Sequence, residues 1–150
     1  MAAVKYLRGV KLLVKVGDGE SPEVFTTYCT INAARGISFA ASTNDFNIPD
    51  CADPDLMAWL VREKVSISGD ISGAGTLNTP DTEEFFDWVK SPDTRNVQVH
   101  LDAVSMANGG GYWAGAYHCT QFEVTGDRGG IAEASVQLLS SGEVTWTDAA

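Results

Sequence analysis

Turn-forming clusters interrupt this sequence at short intervals, and that spacing restricts the fold more than any other feature. They are Gly17-Asp18-Gly19-Glu20-Ser21-Pro22, Arg35-Gly36, Gly73-Ala74-Gly75, Ser91-Pro92-Asp93, Asn108-Gly109-Gly110-Gly111, Gly126-Asp127-Arg128-Gly129-Gly130 and Ser140-Ser141-Gly142. Glycine and proline punctuate a chain in this way where it must reverse direction. The runs between them have strand length and alternate in polarity. Val97, Val99, Leu101 and Ala103 oppose Gln98, His100 and Asp102, the period-two signature of a strand with one buried and one wet face. Phe25, Cys29 and Ile31 oppose Thr26, Tyr28 and Thr30, and Ile37 and Phe39 oppose Ser38. Val65, Ile67 and Ile71 oppose Ser66, Ser68 and Asp70, while Ala132, Ala134, Val136 and Leu138 oppose Glu133, Ser135 and Gln137. The pattern predicts a mainly β chain: an antiparallel β-sandwich or barrel of about eight strands.

The run over 111–125 changes phase. Trp113, Tyr117 and Cys119 share one face, whereas Phe122 and Val124 fall on the other. A bulge near Thr120 or Gln121 reconciles the halves. One flanking helix is signalled over 79–90: Thr79-Pro80-Asp81-Thr82-Glu83-Glu84 offers a cap, a first-turn proline and acids at the positive dipole end. Phe85, Phe86 and Val89 form its apolar stripe, and Ser91-Pro92 stops it. A second short helix is expected over 53–62. Residues 43–64 lack alternation and read as a long loop, a kind of insertion that is usually functional when it is ordered. With 150 residues, 44% of them hydrophobic and 20% charged, the chain reads as one folded domain over 1–150.

Charge narrows the function. The formal net charge of −10 is the wrong sign for a protein that binds nucleic acid by displacing its counterions. The charge is also uneven. Residues 1–15 hold Lys5, Arg8, Lys11 and Lys15 and no acid, a +4 arm, whereas residues 43–56 hold Asp45, Asp50, Asp53 and Asp55 and no base, a −4 loop. The apolar residues after that loop, Leu56, Met57, Trp59, Leu60 and Val61, argue for a surface that another subunit covers. The opening residues show no signal-peptide pattern. The longest wholly apolar run, 56–61, falls far short of the ~20 residues that span a bilayer, so no membrane anchor is expected. Cys29, Cys51 and Cys119 are odd in number and hold no C-x-x-C, which fits reduced thiols.

Catalytic and metal-binding patterns are sparse. His100 and His118 are the two histidines, and neither stands near a G-x-S-x-G nucleophile turn. His100, on the polar phase of its strand, reads as solvated or hydrogen-bonded. His118 and Cys119, as strand neighbours, point to opposite faces and do not readily share an ion. The 45–55 aspartates lack the glycine and terminal glutamate of an EF-hand loop. The glycine clusters at 109–111 and 126–130 lack the lysine of a phosphate loop and read as hairpin turns. Glu83 and Glu84 read as dipole partners of the helix, and Trp59, Trp88, Trp113 and Trp146 as core or interface residues. No enzyme, cofactor or metal is expected.

Taken in order, several pieces resemble the major tail tube proteins of long-tailed, siphovirus-type phages, the TP901-1-like family. They are the opening strand Gly9-Val10-Lys11-Leu12-Leu13-Val14-Lys15-Val16-Gly17-Asp18, then Asn44-Asp45 leading into the loop. Val65-Ser66-Ile67-Ser68-Gly69-Asp70-Ile71-Ser72-Gly73-Ala74-Gly75 and the helix ending Phe85-Phe86-Asp87-Trp88-Val89 follow. Tyr112-Trp113-Ala114-Gly115-Ala116-Tyr117-His118-Cys119-Thr120-Gln121-Phe122-Glu123 and Ser140-Ser141-Gly142-Glu143-Val144-Thr145 complete the match. The resemblance implies a virion structural protein assembled in the host cytoplasm, whose hexameric rings stack into a hollow tail. One sheet of each copy joins a barrel through which DNA passes unbound during genome ejection. Tape measure and terminator proteins are the implied partners, and no membrane is.

Six copies at −10 each carry about −60 per ring, a wall that repels a phosphate backbone. Thr26, Thr30, Glu123, Glu133, Ser135 and Gln137 are the candidates for the channel surface; the exposed face of any sandwich strand reads the same way. Asp45, Asp50, Asp53, Asp55, Leu56 and Trp59 are the candidates for ring stacking, with Lys5, Arg8, Lys11 and Lys15 contributing as a basic arm. Stacking needs a contact between unlike faces. Two other readings stay open: a monomeric sandwich that binds a carbohydrate or small molecule, and another tail component such as a terminator or secretion-tube subunit.

Overall fold

A computed structural model describes residues 3–20, 22–28, 30–102 and 105–149. Within them the chain runs β1 (Leu12–Gly17), β2 (Phe25–Thr27), β3 (Ala34–Asn47), β4 (Leu60–Thr76), α1 (Thr82–Lys90), β5 (Arg95–Leu101), β6 (Gly111–Thr125), β7 (Glu133–Ser140) and β8 (Thr145–Asp148). Single 3-10 turns occupy Gly9–Lys11, Thr79–Asp81 and Met106–Asn108. The strands form one unclosed sheet in the order β2-β1-β5-β6-β7-β4-β3, with β8 added beside the start of β6. Every pairing whose register is resolved is antiparallel.

Antiparallel partners share a face, so the registers locate the core. Val14 lies opposite Val99 and Val16 opposite Val97, and all four are buried with Tyr117, Cys119, Val136, Leu138 and Ile71. The bulge falls where the phase change requires it, between Cys119 and Gln121. It turns Phe122 and Val124 to the core side, opposite Val136 and Ala134. Gly75 marks a close approach: a Cβ there would meet the Thr30 carbonyl at 2.8 Å.

The helix forms as its sequence predicts, with Pro80 in the preceding 3-10 turn, Glu83 and Glu84 in its first turn and Ser91 ending it. It buries Phe85 and Trp88. Phe85 is 0% exposed and packs its ring 4.9 Å from Tyr28, 5.3 Å from Phe122 and 6.4 Å from Trp88. Burying one such ring stabilises by roughly 1.5–3 kcal/mol. The cap differs from expectation. Asp81 occupies the N-cap position but makes no side-chain capping bond; its carboxylate accepts both the backbone N–H and the hydroxyl of Thr30, each at 3.1 Å, because Thr30 is buried and its donors need an acceptor.

The chain divides into two units, Phe39–Ser68 and the remainder. Phe39–Ser68 holds the outer parts of β3 and β4 and the segment joining them, and it corrects three expectations. The loop over 43–64 is shorter, because β3 continues to Asn47 and β4 begins at Leu60. The short helix over 53–62 is absent: the Leu56 N–H closes a turn on the Asp53 carbonyl at 3.1 Å, and 60–62 is strand. Cross-strand bonding outweighs local pattern here, with Asp45 and Arg62 3.5 Å apart and Ser42 hydrogen-bonded to Ser66. Third, Phe39, Val65 and Ile67, expected on a buried face, are exposed, Ile67 by 72%. A two-stranded ribbon has no second layer to cover them. The alternation proposed for Cys29 and Ala103 lies outside the described residues. Ile31 is buried, but beyond the end of β2.

Candidate self-assembly surfaces

The registers of β4, β7 and β6 build a polar face residue by residue. Ser72, Gln137 and Gln121 align across the three strands, then Ala74, Ser135 and Glu123, then Thr76, Glu133 and Thr125. The bulge makes this possible, since without the extra residue Gln121, Glu123 and Thr125 would turn to the core. The nine positions include two carboxylates and no lysine or arginine. The side-chain amide of Gln121 reaches Glu123 at 3.4 Å, and the Thr120 hydroxyl donates to the Gln137 carbonyl at 3.3 Å.

Glu123, Glu133, Ser135 and Gln137 therefore lie together, as the sequence reading grouped them. Thr30 does not join them: it is 0% exposed and bonded to Asp81, so it lines no channel. Thr26 is exposed but sits on β2, opposite Val16 and at the far end of the strand order from β4. Sequence reasoning missed Gln121, Thr125, Ser72 and Thr76. The phase change in β6 and the Ile71-Gly73-Gly75 alternation of β4 carried the signal for them.

In the second unit the segment over 48–59 exposes its large side chains. Trp59 is 91% exposed and Met57 88%, with Ile48 and Leu56 also open to solvent. Asp50, Asp53 and Asp55 are exposed among them. Asp50 shapes the turn by accepting the Ala52 N–H at 2.8 Å. Asp45, grouped with them from sequence, is instead a β3 residue paired with Arg62.

The basic residues do not form one arm. Lys5 and Arg8 lie in an exposed stretch without regular structure. Lys11 ends a 3-10 turn 3.9 Å from Asp102, and Lys15 belongs to β1, opposite Gln98 and Thr27.

Titratable groups elsewhere serve the packing. His100 bonds to Gln98 at 2.8 Å and stacks on Tyr112, and its pKa is lowered first by burial and then by Lys15. Burial pushes the Cys119 thiol up to about 11, far from a reactive thiolate. Burial, then Glu84, raises Tyr28 to about 12; its hydroxyl bonds to Glu84 and receives an Arg95 N–H at 3.2 Å. Cys51 and Cys119 are both free. Among the described residues no group of three metal-ligating side chains comes together.

The open sheet carries these nine base-free positions on one side of β4, β7 and β6 and packs helix α1 on the other. The chain belongs to the phage tail tube protein family, whose profile matches residues 6–146, and it is a structural tail tube subunit. It is similar to a chain of the native gene transfer agent virion, with a TM-score of 0.70 at 24% identity over 95% of this chain and 99% of that one. The SPP1 tail tube protein superposes with a TM-score of 0.63 at 8% identity over 95% and 80%. The tube-terminating cap of the anti-feeding prophage gives 0.63 at 12% over 99% and 96%. These likenesses describe the fold. No curated protein matches the chain.

Proposed function

We propose that copies of this chain close into hexameric rings, that the rings stack into a tube, and that the polar face of β4, β7 and β6 lines the channel. The observation that carries the reading is that face: nine aligned positions without a base, on a sheet that does not close on itself. Two free edges support ring closure. β3 ends the strand order, and the pairing of β5 with β6 stops at Tyr117, leaving the last part of β6 open on the side away from β7. An exposed edge is a template for another strand, so β3 of one copy pairs with β6 of the next and one barrel runs around the ring. A tail of six-fold symmetry is the setting of a similar gene transfer agent chain.

The finer readings belong to the same proposal. The chain acts without catalysis, in the tail of a TP901-1-like long-tailed phage or a particle derived from one. Assembly takes place in the host cytoplasm, with tape measure and terminator proteins as neighbours. The segment over 48–59 docks on the adjacent ring, burying Trp59, Met57 and Leu56, with the aspartates setting the register of the contact.

The channel assignment is tested by placing lysine at Glu123 and Glu133. Native tubes hold no duplex DNA. Glu123→Lys with Glu133→Lys gives tubes that retain short DNA in a nuclease-protected, salt-sensitive form. Variant tubes that bind none, or whose bound DNA is digested, place this face elsewhere.

A further inference from the structure

A cleft of about 380 Å³ opens where the end of β1 and the following turn meet the end of α1 and the chain entering β5. Asp18, Glu23, Asp87 and Asp93 line it, against one base, Arg95. Three of these carboxylates are already engaged. Asp18 accepts the N–H groups of Glu20 and Val24, Glu23 takes Gly19 and Asn96, and Asp87 pairs with Lys90 at 3.8 Å. Asp93 has no such partner for its carboxylate among the described residues. Trp88 forms part of the wall. It is 2% exposed.

A segment with the complementary chemistry lies at the other end of the same strands. Residues 3–8 are without regular structure, expose Val4 and Tyr6, and carry Lys5 and Arg8 with no acid. They lie beside Leu101 and Asn108, at the Leu12 end of β1, which pairs with Leu101. The cleft lies at the Gly17 end, five steps along, or roughly 17 Å at strand rise. Complementary features at opposite ends of one subunit make a contact between unlike faces, which propagates into a filament.

We infer that residues 3–8 of one copy dock in the acidic cleft of a second copy, with Lys5 meeting Asp93. The inference rests on the self-assembly reading and adds a joint separate from the 48–59 segment, with charge complementarity selecting the occupant.

Cysteine trapping tests it in a parent carrying Cys29→Ser and Cys51→Ser, which leaves the buried Cys119 as its one thiol; tube formation by the parent reads the assembly proposal by itself. Lys5→Cys and Asp93→Cys are made in separate preparations, co-assembled and oxidised. Disulfide-linked dimers holding one copy of each are expected, while the parent stays unlinked. Charge exchange supplies a second readout: Lys5→Glu or Asp93→Lys alone raises the concentration at which tubes appear about tenfold, and the two together restore it. Tubes that form normally yet yield no mixed dimer, or single effects that add without restoration, overturn the inference.

Discussion

Reversing Asp50, Asp53 and Asp55 to lysine leaves the subunit folded and abolishes tubes. The three side chains are exposed within Phe39–Ser68 and belong to no part of the buried core, so the fold loses little beyond the turn that Asp50 makes with Ala52. Assembly loses far more. Each copy contributes the segment once to every ring junction, and the six new charge units per copy oppose a contact centred on Trp59, Met57 and Leu56. The reversed charges mispair with the groups that the aspartates meet on the adjacent ring in the proposed contact, at several kcal/mol, and a ring repeats that cost six times in the proposed hexamer. Circular dichroism and sedimentation separate the two effects: native spectra with no species larger than a ring are expected. Full-length tubes from the triple variant would show that the segment does not carry the stacking contact.

Phe85→Ala is expected to cost about 3–5 kcal/mol of subunit stability, the range for deleting a buried aromatic ring. That is a large share of the roughly 5–15 kcal/mol holding a domain together. Phe85 is the ring on which Tyr28, Trp88 and Phe122 converge, so its loss opens a cavity between the helix and the sheet. One position along, Phe86 is 55% exposed under the Lys90 ammonium. Phe86→Ala therefore costs less than about 1 kcal/mol, as surface changes usually do. Urea titration followed by tryptophan fluorescence gives both numbers. Equal losses at the two positions would mean that the helix does not pack through Phe85.

Much of this architecture is legible in the residues because its determinants are local. Alternation in 97–101 and 133–138 marks strands whose buried phase the structure reproduces, and Pro80 with Glu83 and Glu84 marks the start of α1. The phase slip after Cys119 announces the bulge. What stays hidden depends on partners far along the chain. Residues 43–47 and 60–64 show no period of two, yet they are strand, held by main-chain pairing and the Asp45–Arg62 contact. Thr30 reads as a wet-face threonine, but the acceptor that lets it be buried, Asp81, stands 51 positions away. Val65 and Ile67 show that alternation tells which residues share a face and not what covers it.

The candidate surfaces divide in the same way. Glu133, Ser135 and Gln137 share a face because they alternate on one strand, and Glu123 joins them once the bulge is placed. Thr26 shares the alternation but not the neighbourhood, because strand order is a tertiary property: four strands separate β2 from β4 in the sheet. The basic residues near the start looked like one unit by proximity in sequence. The onset of β1 at Leu12 divides them into an exposed pair, Lys5 and Arg8, and two residues built into the fold.

Electron microscopy of the purified protein over a range of concentrations tests the central claim most directly. The account predicts six-fold rings that stack into hollow tubes, with β4, β7 and β6 turned toward the axis and Glu123 and Glu133 facing the channel. A protein that remains a solitary 16.0 kDa species at high concentration, or tubes whose inner wall is formed by other strands, would contradict it.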